Sequence, residues 1–330
     1  MKILLLSSAD PERYGGSHPN EYGKMTAALE ASGFSVSHRF VTTEDDLLRQ
    51  VTEERPDLVF SAVDCTQDSD GNQSIADILD DEGIPYVGSD SKGLKKALHK
   101  DISKRIWGAN GIKTPEFFVF NASGKIESGT SRRRRSDDII PQEAFPLIVK
   151  PMCKGGSRGI TDESVVHNVE ELSRQVERII GQFGSQRVLA EKFLSDRREF
   201  TVSIIGNGLS KLLMPSELVP QNGDRPPVLT HEIKDGEPGK RLVEPEFVKQ
   251  ASLRRRLSML AAKMFDTCNL RDYARADIMM DNEGSLYAVE INGQTVFESY
   301  FLMGPAGIGM DYKATVKAVI DAAMLRYQKG

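Results

Sequence analysis

An arginine, two carboxylates and an amide crowd one predicted hairpin near the end of the chain. It reads Arg275-Ala276-Asp277-Ile278-Met279-Met280-Asp281-Asn282-Glu283-Gly284-Ser285-Leu286-Tyr287-Ala288-Val289-Glu290-Ile291-Asn292. Side chains alternate across a strand, so Arg275 and Asp277 share one face, and Glu290 and Asn292 share one face of the returning strand. Burying such groups is costly unless something binds them. Carboxylate and amide oxygens suit a hard cation such as magnesium bridging nucleotide phosphates. The competing reading is a solvated sheet face with ordinary ion pairs.

Two further stretches add to this. Pro146-Leu147-Ile148-Val149-Lys150-Pro151 is followed by Lys154-Gly155-Gly156-Ser157-Arg158-Gly159-Ile160. A lysine ending an apolar strand beside a glycine-rich turn can set an ammonium and backbone N–H groups around phosphates. No Gly-Lys-Ser/Thr closes the turn, so it is not a Walker A loop; a plain hairpin turn is the alternative. The third stretch is Val188-Leu189-Ala190-Glu191-Lys192-Phe193-Leu194, then Arg197-Arg198-Glu199-Phe200-Thr201-Val202. It reads equally as two strands with charged ends.

The elements that must carry these residues begin with alternating strand and helix signals. Strands are expected at Lys2–Ser7, Ser35–Phe40, Leu58–Val63 and Ile84–Val87, with helices at Asn20–Ala31, Glu44–Glu54 and Asn72–Glu82. That order predicts a doubly wound parallel sheet over residues 1–92. Helices at Lys92–His99 and Lys100–Ala109 follow, then strands at Glu116–Phe120, Phe145–Met152, Val188–Phe193, Glu199–Ile205 and Gly208–Met214. Helices are expected at Val169–Ile180, Glu246–Phe265 and Asp311–Tyr327, and the last strands at Tyr273–Met280 and Ser285–Ile291. Asp281–Gly284 is the turn between those two.

Composition narrows the functional class. The 330 residues are 39% hydrophobic and 28% charged, with a net charge of −5 that gives no field for attracting nucleic acid. The apolar runs, such as Ile3–Leu6, are far short of the roughly 20 residues of a membrane span, and Ile3–Leu6 is also too short for a signal peptide's core. A cytoplasmic protein is expected. Three scattered cysteines and five scattered histidines suggest neither a disulfide framework nor a zinc site. Arg132–Arg135 reads as a solvated loop within a polar stretch.

In this order and spacing the motifs resemble the ATP-grasp superfamily, and within it the D-alanine–D-alanine ligase family. The matching residues run from Gly83–Ser89 through Lys100, Lys104, Gly111–Pro115, Val149–Pro151, Gly155–Gly159, Glu191–Leu194 and Glu199–Val202 to Arg275–Asn292. The resemblance implies a mixed α/β and α+β fold of ATP-grasp architecture. An N-terminal domain (1–92) would precede a central subdomain (93–195) and a catalytic subdomain (196–330), the latter two enclosing ATP. It also implies that Lys100, Lys150, Gly155, Gly156, Ser157, Glu191, Lys192, Phe193, Leu194, Glu199 and Lys234 bind ATP. Asp277, Glu290 and Asn292 would hold two magnesium ions. Arg275 would stabilise the oxyanion of a tetrahedral intermediate, with Ser157 in the lid that closes over the phosphates. A homodimer is the expected assembly, with small-molecule partners and neither nucleic acid nor membrane.

The departures fall where the family recognises its amino acids. The family's His-Gly pair and Gly-Glu-Asp-Gly correspond here to Asp64-Cys65-Thr66-Gln67-Asp68-Ser69-Asp70-Gly71-Asn72. The N-terminal loop lacks the family's order, leaving Glu12 or Glu21 for the amine. After Asn292 the family's Thr-x-Pro-Gly and later Ser-Leu are replaced by Gly293-Gln294-Thr295-Val296-Phe297-Glu298-Ser299-Tyr300-Phe301-Leu302. Substrate-binding residues are therefore expected at Glu12, Asp64, Gly293, Phe301 and Leu302, in a bulkier, more aromatic pocket. Three functions follow. One is a carboxylate–amine ligase, working through an acyl phosphate, that joins an amino acid to a non-standard partner in secondary metabolism by an amide or imine-type bond. The second is a D-alanine–D-alanine ligase of peptidoglycan synthesis. The third is an ATP-binding protein without turnover.

Overall fold

The computed structural model describes residues 1–7, 19–62, 65–68, 71–129, 140–154, 157–184, 186–221, 228–230, 233 and 243–328. Three larger sheets follow one another along the chain. In the first, β1 (Lys2–Ser7) lies parallel between β2 (Ser35–Phe40) and β3 (Leu58–Ser61). Ile3–Leu6 are wholly buried, because a central parallel strand is covered on both faces. The crossover helices are α1 (Pro19–Glu30) and α2 (Glu44–Glu54). Thr43 caps α2 by accepting from the Asp46 N–H, and three acidic residues fill the first turn where the helix dipole favours them.

Two local expectations are corrected here. The fourth strand at Ile84–Val87 is reduced to a single parallel bridge between Val59 and Tyr86; Pro85 has no N–H to extend a ladder. The helix expected from Asn72 starts later, as α3 (Ile75–Asp81). Residues Gly71–Ser74 (β5) instead pair with Cys65–Asp68 (β4) in a hairpin.

Helices α4 (Ser91–Leu98) and α5 (Lys100–Ala109) lead into the middle sheet. It comprises β6 (Phe117–Phe120), β7 (Ile126–Gly129), β8 (Leu147–Pro151), β9 (Val165–Val166) and β10 (Val188–Lys192). The order is β7-β6-β10-β8-β9. The helix α6 (Val169–Phe183) packs Leu172, Val176 and Ile179 against Leu147, Val149 and Ala190. The opposite face carries Lys150 and Glu191.

The third sheet is antiparallel, in the order β13-β12-β11-β14-β15. Its strands are β11 (Arg198–Ile205), β12 (Leu212–Pro220), β13 (Val243–Phe247), β14 (Tyr273–Met280) and β15 (Leu286–Asn292). The strand expected at Gly208–Met214 thus begins at Leu212, after a 3₁₀ turn. The helix expected from Glu246 is α7 (Ala251–Thr267), because the preceding residues add an edge strand where Pro245 costs no ladder bond. From α7, Leu257, Ala261, Met264 and Phe265 pack against Val202, Ala276 and Ile278.

The chain ends in α8 (Ser299–Ala306) and α9 (Tyr312–Gln328). Val316, Val319 and Ile320 of α9 share a core with Ile3, Leu5 and Phe60 of the first sheet and Tyr273 of the third. Among the described residues, no helix is long and apolar enough to cross a membrane.

Candidate active site

Between the middle and third sheets lies a cleft of about 220 Å³. On the third sheet, Arg275 pairs in register with Asn292, and Asp277 with Glu290. A register shift follows at Asp277/Ile278, so that Ile278 faces Ala288 and Val289 is the extra residue. This bulge puts Ala288 into the core beneath α7 while Glu290 points to the cleft, a re-aiming of the kind bulges perform beside active sites. The unbroken pairing before the bulge brings the four residues of the hairpin to one face, and of these Arg275, Asp277 and Glu290 line the cleft.

Their partners are internal. Arg275 donates from Nε and Nη2 to the two oxygens of Asp277, each at 3.0 Å. Burial works against the guanidinium's charge, but Asp277 and Glu290 outweigh it and raise its pKa. Glu290 lies 3.4 Å from the Lys100 ammonium. The Asn292 amide nitrogen is buried and, among the described residues, has no hydrogen-bond partner.

The middle sheet supplies cations. Lys150 of β8 donates to Glu191 Oε1 of β10, and Lys104 of α5 lies 2.7 Å from Glu191 Oε2. Lys104 also donates to Thr114 Oγ1 at 2.7 Å. Burial opposes the Glu191 charge, but the two ammoniums pull its pKa down to about 2. Burial outweighs Glu191 at Lys104 and lowers that ammonium to about 8. Both values fall, because the one anion is held charged by two cations, whereas burial at Lys104 outweighs the single anion it shares with Lys150. One turn before Lys104, Lys100 bonds the Lys154 carbonyl at 2.7 Å and so holds the start of the glycine-rich turn.

The remaining wall is built from Phe193, Leu194, Arg197 and Glu199. The Arg197 guanidinium stacks on Phe193 with 4.9 Å to the ring centroid and donates to Glu199 at 2.7 Å. Lys192 also lines the cleft, but its ammonium bonds the Ala144 and Phe145 carbonyls at 3.1 and 2.7 Å. Ser157 lies on the cleft with φ of 60°. Gly159 is required beside it, since a Cβ there would meet Phe183 at 2.6 Å and Pro151 at 2.9 Å.

Three expected substrate residues are not in this cleft. Phe301 is fully buried, packed with Phe297 at 5.1 Å and Tyr273 at 6.3 Å between ring centroids. Leu302 packs against the same core. Gly293 borders a small separate cavity with Ser61 and Tyr86. The cleft wall after Asn292 is formed instead by Val296, Glu298 and Tyr300. Glu298 is the N-cap of α8, and helical spacing sends Phe301 inward. Glu12, Asp64, Gly155, Gly156, Lys234 and Arg132–Arg135 lie outside the described residues, as does the side chain of Glu21.

The oxygen donors fit a hard cation that also binds a ligand. Among the described residues no group of three His, Cys, Asp or Glu side chains gathers for a metal. Two carboxylates and one amide leave coordination positions for phosphate oxygens and water, as magnesium prefers.

Three successive sheets, with a lysine-rich cleft between the second and third, define an ATP-grasp ligase. The family described as D-ala D-ala ligase C-terminus matches residues 106–321, and the chain belongs to that family. A D-alanine–D-alanine ligase of Aquifex aeolicus is 30% identical over 305 residues, covering 90% of this chain and 93% of the relative. One from Cupriavidus metallidurans is 28% identical, covering 82% and 76%. The crystal structure of the D-alanine–D-alanine ligase from Bacillus anthracis complexed with ATP has the same fold. Its TM-score is 0.73 at 19% identity, with both chains covered completely. The protein is an enzyme that forms carbon–nitrogen bonds.

Proposed function

We propose that the chain joins an amino acid to a non-standard amine, through an acyl phosphate made with ATP, in secondary metabolism. The carrying observation is the cleft itself: Lys150 and Glu191 on one wall face Arg275, Asp277 and Glu290 on the other. In this reading Phe193 and Leu194 hold the adenine and Glu199 the ribose. Lys100, Lys150 and the Ser157 turn hold the phosphates. Asp277, Glu290 and Asn292 would hold two magnesium ions, which when bound neutralise phosphate charge.

A substrate carboxylate oxygen attacks the γ-phosphorus, the bond to the β–γ bridging oxygen breaks, and ADP leaves. The amine nitrogen then attacks the acyl carbon. The C–O bond to phosphate breaks and the nitrogen gives up a proton. Arg275 is suited to stabilise the oxygen that becomes negative in between, being a fixed cation already oriented by Asp277. The turn at Ser157–Gly159 excludes water from a phosphate anhydride that hydrolyses readily.

The altered acceptor is supported by Val296, Glu298 and Tyr300, which line the wall beside Arg275. A carboxylate on that wall repels an acceptor carboxylate and favours an amine lacking one. The relatives' name supports a second reading, with D-alanine as both donor and acceptor. We further propose the division at 92/93 and 195/196, supported by the three sheets falling into successive segments, together with a homodimer and a cytoplasmic site of action.

Phosphate release with pairs of amino acids and amines tests the function, with hydroxylamine trapping any acyl phosphate. A hydroxamate from one amino acid, with product formed only when a second amine is present, is expected. Full turnover with D-alanine alone favours the second reading. ADP binding without phosphate release under any mixture refutes a ligase.

A further inference from the structure

Lys104 does not line the cleft, yet its surroundings give it a task there. Its side chain is wholly buried on α5. It reaches Glu191 Oε2 and Thr114 Oγ1, each at 2.7 Å, and its ammonium lies 5.7 Å from the Phe117 ring centroid. The other oxygen of Glu191 is taken by Lys150, which does line the cleft. Burying ammonium and carboxylate groups is expensive, and replacing a whole buried ion-pair cluster by apolar side chains of similar volume is often neutral or stabilising, so stability alone does not account for this one.

We infer that Lys104 is a positioning residue for the nucleotide: it anchors the far oxygen of Glu191 so that Lys150 meets the nucleotide oriented and with its charge uncancelled. The inference rests on reading the cleft as the ATP site. Glu191 and Lys150 alone make a neutral pair. With Lys104 the group carries one net positive charge, set in a low-dielectric wall where it acts strongly on an anionic ligand. Lys104 also pins the carboxylate from behind, so Lys150 cannot follow Glu191 into another rotamer. The charged groups facing Lys104 are Glu191 from β10, Lys150 from β8 and, at longer range, Glu290 from β15. The sequence marked Lys104 as part of the family resemblance but gave it no role, because a lysine one turn after Lys100 on a helix ordinarily faces water.

The test is ADP binding by calorimetry and steady-state kinetics on the wild-type chain, Lys104→Met and Lys104→Arg. In Lys104→Met the ADP dissociation constant and the KM for ATP are expected to rise by about tenfold or more. The kcat at saturating ATP and the KM for the carboxylate substrate are expected to stay as in wild type. Lys104→Arg restores nucleotide affinity, since the charge returns. Should Lys104→Met fail to fold, the wild-type chain supplies the measurement. Its ADP affinity is expected to weaken as pH rises past about 8, where the buried ammonium gives up its proton. A flat profile through that range overturns the inference. Unchanged nucleotide affinity in a folded Lys104→Met variant overturns it alone, whereas a wild-type chain that binds no adenine nucleotide overturns the ATP reading with it.

Discussion

At the level of single residues, the cleft separates binding from chemistry. Arg275 is held by Asp277 through two hydrogen bonds, so its position does not depend on substrate. Arg275→Ala is expected to lower kcat by about 10²–10³ while leaving the KM for ATP unchanged, as removal of one preorganised oxyanion donor does. A loss confined to ATP affinity speaks against that role. Glu290→Ala is expected to abolish turnover in a chain that still melts cooperatively, as followed by circular dichroism; retained activity removes Glu290 from the cation site. Glu191 answers to acid. Its carboxyl titrates near 4.5 when unfolded and about 2 when folded. Its stabilising contribution is therefore complete above the unfolded value and lost as pH falls toward 2. Urea midpoints between pH 5 and 3 are expected to fall more steeply for wild type than for Glu191→Gln; parallel profiles contradict the triad. The hairpin residues were legible in the sequence because strand alternation exposes them. Val296, Glu298 and Tyr300 were not, since a loop entering a helix has no period to read, and aromatic character pointed to Phe301, which the core claims instead.

At the level of elements, the glycine-rich turn depends on the helix behind it. The Gly159 carbonyl accepts from Arg178 of α6 at 3.0 Å, and the Ile160 N–H donates to the Ser157 carbonyl at 3.1 Å. Gly159 sits at φ of 79°, with no room for a Cβ against Phe183 and Pro151. Gly159→Ala is expected to strain this turn by about 1–3 kcal/mol. The loss reads out as a raised KM for ATP and earlier proteolysis near residue 157; wild-type behaviour in both indicates a turn that tolerates the change. Elements with a clear period were legible, among them β1, α2, β14 and β15. The β4–β5 hairpin was not, because Cys65–Asp68 and Gly71–Ser74 carry no apolar alternation. Glu246 and Phe247 in β13 looked helical until the edge of the third sheet was there to take them.

At the level of the whole molecule, the sheets succeed one another along the chain but the cores do not. The last helix returns to the first sheet and is clamped there by charge. Arg326 donates to Asp272 from Nε at 3.1 Å and Nη2 at 2.9 Å, and to the Tyr86 carbonyl at 2.8 Å. Asp272 is fully buried with φ of 64°, and it also accepts from the Gly88 N–H and the Asn207 amide, each at 2.8 Å. One carboxylate thus ties the first segment, the third sheet and α9 together. That junction joins residues more than two hundred positions apart, and no local pattern announces it. Arg326→Met keeps the aliphatic packing but leaves Asp272 without its cation. The expected cost is about 1–3 kcal/mol, the penalty of an under-satisfied buried acceptor, limited because Gly88 and Asn207 remain. The cleft is built elsewhere, so kcat and both substrate KM values at low temperature are expected to match wild type while the melting temperature falls. A variant that melts normally but loses activity reverses that division: the clamp then serves the cleft by setting how the first segment meets the third sheet.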